Sequence, residues 1–148
     1  MKREHLIDIE SREDIHKLVS LFYAKIRKDK MLGYIFNNMI HNWDEHIERL
    51  TDFWETNLLF VAKFKGNPIA VHQKVDKTFN GTITQEHFGN WLNLWFETID
   101  QLHLGEKAEI AKRRARKMST HLYIKMYESR VQDITVCPFL TEKSKNVF

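Results

Sequence analysis

Apolar residues recur at helical spacing through most of this chain. Ile15, Leu18, Val19, Phe22, Tyr23 and Ile26 fall on one face of a helix expected over 13–28, with Ser11 and Asp14 placed to cap its start. Gly33 interrupts the pattern, so MLGYIFNNMIHN (31–42) reads as a turn-rich connection anchored by Phe36. A second helix is expected over 42–64, with Trp43, Ile47, Leu50, Trp54, Leu58 and Val61 as its stripe and His46, Leu50 and Phe53 along one edge. KGNP (65–68) ends it through Gly and Pro. From there to residue 83 the chain offers at most one short helix around 69–75, inside PIAVHQKV, and an Asn-Gly turn. A third helix over 84–103 has Thr84 as its cap and turns Phe88, Trp91, Leu92, Trp95, Ile99 and Leu102 inward. Gly105 separates it from a fourth over 106–129, striped by Ala108, Ala111, Ala115, Met118, Leu122 and Met126. Strand alternation, repeats and low-complexity segments are lacking, so the pattern predicts an all-α domain.

Composition narrows this further. A chain of 148 residues suits one domain, and a formal charge of +3 is too small to imply a nucleic-acid partner. The run KRRARK (112–117) reads as the solvated face opposite Ala108, Ala111 and Ala115, without the interleaved aromatics that single-strand binders use. A single cysteine, Cys137, excludes an internal disulfide and fits a reducing, cytoplasmic setting. MKREHLIDIE lacks the apolar core of a signal peptide, and the longest apolar run, LLFVA (58–62), is far short of a membrane span. Four Trp and ten Phe exceed what a helical domain of this size needs for packing, which suggests a cavity with flat, bulky walls.

Tyr23, His46 and Trp91 put polar tips on otherwise apolar helix faces, and His72 sits alone in the sparsely patterned stretch. Any one of them reads first as a core residue with a local hydrogen-bond partner. Three tips from three helices, with an isolated histidine, also fit convergence on a common cavity. Other chemistries find less support. Glu13-Asp14-Ile15-His16 is the one clear Glu-x-x-His, too few for a di-metal carboxylate bundle. One cysteine cannot supply a structural zinc site, Cys137 has no recognisable base, and no glycine-rich phosphate loop exists among five glycines. A haem accounts for more of the features together: one histidine for iron, flat walls from Phe36, Leu50, Phe53, Trp54 and Phe88, and Arg49 as a cation for a propionate.

The segments LFYAKIRKDKMLGYIFNN (21–38), WDEHIERLTDFW (43–54), GNPIAVH (66–72) and QEHFGNWLNLWFE (85–97) resemble the group III truncated haemoglobins. The likeness runs over residues 11–127 and places Tyr23, Phe36, His46, His72 and Trp91 at the family's marked positions. It implies a globin-like, two-over-two helical sandwich (B/E and G/H) with a short proximal F segment, enclosing haem b. His72 becomes the proximal iron ligand, bound through Nε2 while Nδ1–H donates to a backbone carbonyl. Tyr23, His46 and Trp91 become distal residues, Leu50 the distal floor and Arg49 a propionate partner. The ligands implied are dioxygen, nitric oxide and carbon monoxide, with high oxygen affinity and slow release, which argues against bulk oxygen transport. A haem redox enzyme, a nitric oxide dioxygenase or peroxidase-like, would use the same site with a reductase the sequence does not identify. A monomer is expected, with no nucleic acid or membrane as partner. Residues 1–129 would form the globin domain. Residues 130–148 extend past it, either as a disordered end or as a flap through Val136, Phe139 and Leu140.

Overall fold

The computed structural model describes residues 5–61, 64 and 66–135, with side chains to residue 130. The proposed flap residues Val136, Phe139 and Leu140, and Cys137, lie outside the described residues. Among the described residues six helices follow in order: α1 Arg12–Lys28, α2 Leu32–Met39, α3 Trp43–Leu59, α4 Pro68–Thr78, α5 Gln85–Leu102 and α6 Glu106–Thr135. There is no strand among the described residues.

Helix α1 starts where expected, with Ser11 Oγ accepting the Asp14 N–H at 3.2 Å. Acidic Glu13 and Asp14 in its first turn, and Lys25, Arg27 and Lys28 in its last, both complement the helix dipole. The segment expected as a connection at 31–42 instead contains α2. Asp29 Oδ2 accepts the N–H groups of Met31 and Leu32 at 3.0 and 2.9 Å, satisfying donors that a helix start leaves open. Gly33 is there for proximity: a Cβ on it would lie 2.6 Å from the Arg27 carbonyl oxygen, so its bareness lets α2 sit against the end of α1.

Helix α3 stops at Leu59 rather than at 64, because Phe60 takes a left-handed backbone with φ of 60°. The stretch at 65–83, expected to hold at most a short helix, contains α4, 11 residues long. Asn67 caps it by accepting the Ala70 N–H at 3.2 Å, and Pro68 occupies its first turn, where no N–H is needed. Periodicity showed only part of it, around 69–75, because Asp76 is its one buried residue. Past Asn80 and Gly81, both at positive φ, the Thr84 N–H donates to His87 Nδ1 at 2.9 Å and α5 begins. Helix α6 runs beyond the expected 129 to Thr135.

The pairs α1/α3 and α5/α6 form the two layers, joined by packing of α1 on α5 and of α3 on α6. This is a two-over-two sandwich. At the crossing Trp54 stacks on Trp95 with centroids 4.8 Å apart, and Phe22 meets Trp95 edge-on at 4.9 Å. The Trp95 indole N–H donates to the Ala111 carbonyl at 3.2 Å, and the buried Ala108, Ala111 and Ala115 let α6 come close. Arg12 ties the first layer from outside, reaching Glu48, Asp52 and Glu55 at 2.7 Å each.

Helix α6 is capped from the far end of the sequence. Asp8 accepts the Lys107 and Ala108 N–H groups at 2.8 and 2.9 Å. Burial pushes its carboxyl up, but the backbone donors of Lys107, Ala108 and Ile9 outweigh that and hold it below the usual range. A carboxyl depressed on folding adds stability above its unfolded pKa and loses it as pH falls through the folded value. Asp8→Ala should therefore cost about 1 kcal/mol at neutral pH, the usual worth of a cap. Urea unfolding of both proteins should show the gap closing as the pH is lowered through the carboxylate range.

Candidate functional site

The buried apolar side chains fall into two groups rather than one. The larger lies where α1, α3, α5 and α6 meet, with Phe36, Trp43, Ile47, Leu50, Phe53 and Trp91 partly buried along its edge. The smaller joins Ile35, Ile83 and Met126, with Met39, Val75, Phe79 and Phe88 around them. Helix α4 packs on α6, α3 packs on α1 and α6, and α3 and α4 do not pack closely on each other. Apolar residues thus gather beside α3 in one group and beside α4 in the other.

On the α3 side, Tyr23 is buried and meets His46 edge-on at 4.9 Å, Phe36 at 5.7 Å and Trp43 at 5.9 Å. Burial pushes the Tyr23 phenol well up, opposed by a hydrogen bond from the Trp91 indole N–H. Tyr23 thus stays protonated. His46 Nε2 is fully buried with no hydrogen-bond partner. Desolvation, and then the charge of Arg49, push this imidazole down to about 4, so it is neutral at ordinary pH. Arg49 itself is exposed and paired with Glu45 at 3.5 Å, one turn back. Leu50 and Phe53 continue the same edge.

On the α4 side, His72 is half-buried, and its Nδ1 lies 2.7 Å from the Pro68 carbonyl, one turn earlier. A carbonyl only accepts, so Nδ1 carries the proton and Nε2 the lone pair, the form in which histidine binds a metal. Burial lowers its pKa, against the raising effect of that hydrogen bond. Phe88 lies nearly parallel to the ring at 6.4 Å and is met edge-on by Tyr123 at 5.9 Å.

Tyr23, Phe36, His46 and Trp91 are thus linked by ring or hydrogen-bond contacts, with Leu50 and Phe53 along the same edge. His72 and Phe88 stand on the other side. Trp54 goes elsewhere: it is 2% exposed and stacked on Trp95 in the core, reaching the edge only through Phe53 at 5.2 Å. Trp43 is an addition, since it meets both His46 and Tyr23 and carries the Arg27 guanidinium 4.4 Å above its ring. Its place one turn before His46 on α3 was the available signal. Two outer depressions of about 240 and 320 Å³ belong to the ion pairs around Arg12, His16 and Glu48 and touch none of these residues. Among the described residues, no three His, Cys, Asp or Glu side chains gather to hold a bare metal ion.

A histidine whose pKa falls on folding favours the folded state above its unfolded pKa and opposes it as pH drops toward the folded value. Stability of the unliganded protein should decline from about pH 6.5 down to about 4 through His46. His46→Leu should remove that part of the decline, and an NMR titration of the imidazole should place its midpoint near the lower end.

No family model matches the chain. A curated relative, the group 3 truncated haemoglobin of Campylobacter jejuni, is 33% identical over 122 residues, covering 80% of this chain and 92% of that protein. The crystal structure of a group III truncated haemoglobin from Campylobacter jejuni superposes with a TM-score of 0.73 at 32% identity, covering 82% of this chain and 95% of the other.

Proposed function

The chain belongs to the group III truncated haemoglobins, and on that footing we propose that it holds haem b in a slot between α3 and α4 and binds diatomic gases beside Tyr23, His46 and Trp91. The observation that carries this reading is the division of the apolar residues into two groups, with a neutral imidazole beside one and hydrogen-bonding tips beside the other. The unpartnered His46 Nε2 supports it too, since a buried polar atom without a partner is costly unless a ligand meets it.

Haem b, when bound, supplies an iron that takes dioxygen, nitric oxide or carbon monoxide. His72 holds the iron through Nε2, and the Pro68 carbonyl, by accepting from Nδ1, fixes the ring and makes it a stronger donor. Phe36, Leu50, Phe53 and Phe88 wall the slot, with Trp54 behind Phe53. Arg49, exposed and only loosely paired with Glu45, is the cation for a propionate. The Tyr23 hydroxyl, kept neutral by burial, and the Trp91 indole N–H are the donors for the gas. Donation in a dry pocket retains a polar ligand and slows its release.

Adding haemin to the protein should give an intense Soret band, and a colourless product would end this reading. His72→Ala should weaken haemin binding by about a hundredfold or more, above the effect typical of losing an outer-shell partner. Tyr23→Phe should keep haem but release dioxygen on the order of tenfold faster, matching about 1–2 kcal/mol for one hydrogen bond. Stopped-flow displacement of dioxygen by carbon monoxide measures this, and an unchanged rate removes Tyr23 from the role.

A further inference from the structure

Resting on the haem reading above, we propose that Arg130 is a positioning residue for His72, acting through Asp76 to set how helix α4 presents the imidazole. Helix α4 is only 11 residues long and buries one residue completely, so neither its length nor an apolar stripe fixes its position. Its firmest attachment is polar. The Arg130 guanidinium makes two bonds to the Asp76 carboxylate, each of 2.7 Å, with Asp76 only 4% exposed. Such a fork fixes orientation as well as distance.

The placement matters more than the strength. Pro68, His72 and Asp76 follow at four-residue intervals along one face of α4. The Pro68 carbonyl holds the His72 ring from one turn before, and Arg130 holds Asp76 one turn after. Any rotation of α4 about its axis that moved His72 Nε2 would have to break the fork. Arg130 also donates to the Ile83 carbonyl, just before α5. Tyr123 meets Phe88, which lies against the His72 ring. One side chain near the end of α6 thus holds both the helix that carries His72 and the segment leading into α5, the helix that carries Phe88. Gln73 Nε2, donating to the Lys125 carbonyl at 3.1 Å, is a second tie of α4 to α6 but lacks the fork.

The test uses the full chain loaded with haem, in the ferrous unliganded state. Resonance Raman reads the iron–histidine stretch, and transfer of haemin to excess apomyoglobin reads its loss. Arg130→Gln and Asp76→Asn should each shift or broaden the stretch and speed haemin loss tenfold or more, with Arg130→Lys between them and wild type. Arg12→Gln, which breaks ion pairs on the far α1/α3 face, is the control. It should lower the melting temperature yet leave the stretch in place. Should Arg130→Gln fail to fold, Asp76→Asn, a near-isosteric change, carries the same readout. The proposal is overturned if folded variants keep the wild-type stretch and loss rate, or if Arg12→Gln moves the stretch as far. A wild-type chain without a Soret band removes the haem reading and this proposal with it. A normal wild-type band with unmoved variants overturns the positioning role alone.

Discussion

Four of the helices are fixed by one aromatic crossing. Trp54 from α3 stacks on Trp95 from α5, Phe22 from α1 meets Trp95 edge-on, and the Trp95 indole N–H donates to the Ala111 carbonyl of α6. Each of these rings removes enough apolar surface from water to contribute roughly 2–3 kcal/mol. Because all of them meet at one point, neither layer can slide without losing several contacts at once. The alanines of α6 follow from this constraint, since a larger side chain at Ala111 would push the layers apart.

With Trp54 committed to the core, His46, Leu50 and Phe53 continue along the edge of α3, His46 against Tyr23 of α1 and the other two against the core cluster. Helix α4 passes on the other side and docks on α6. It has little apolar surface of its own, so Asp76, Gln73 and the small cluster around Met126 hold it instead. A helix held by directional polar bonds is fixed in rotation, and with it the direction of the His72 imidazole.

Burial sets the protonation of Tyr23, His46 and His72, with the charge of Arg49 adding to it at His46. The same desolvation raises the Tyr23 phenol and lowers the His46 and His72 imidazoles, because in each case the neutral form is the one an apolar environment tolerates. These groups are therefore a neutral hydroxyl and two neutral imidazoles over the ordinary pH range. At His72 the bond to the Pro68 carbonyl decides which ring nitrogen keeps its lone pair.

The sequence alone determined the long helices and the identity of the polar tips. A 3.6-residue apolar stripe states directly which face is buried, and Tyr23, His46 and Trp91 stood out as polar tips on such faces. It misjudged elements whose stability does not come from a stripe. Helix α2 depends on Asp29 supplying its missing acceptors and on a bare Gly33 near the Arg27 carbonyl, and both are relations between neighbours in space. Helix α4 depends on an arginine 54 positions away from Asp76, which no local window contains. Trp54 illustrates the converse. Its spacing places it on the same helix as His46, Leu50 and Phe53, and only the position of Trp95 decided that it turns to the core. Periodicity reports burial, but which of two buried surfaces a side chain joins depends on what the rest of the chain brings against it.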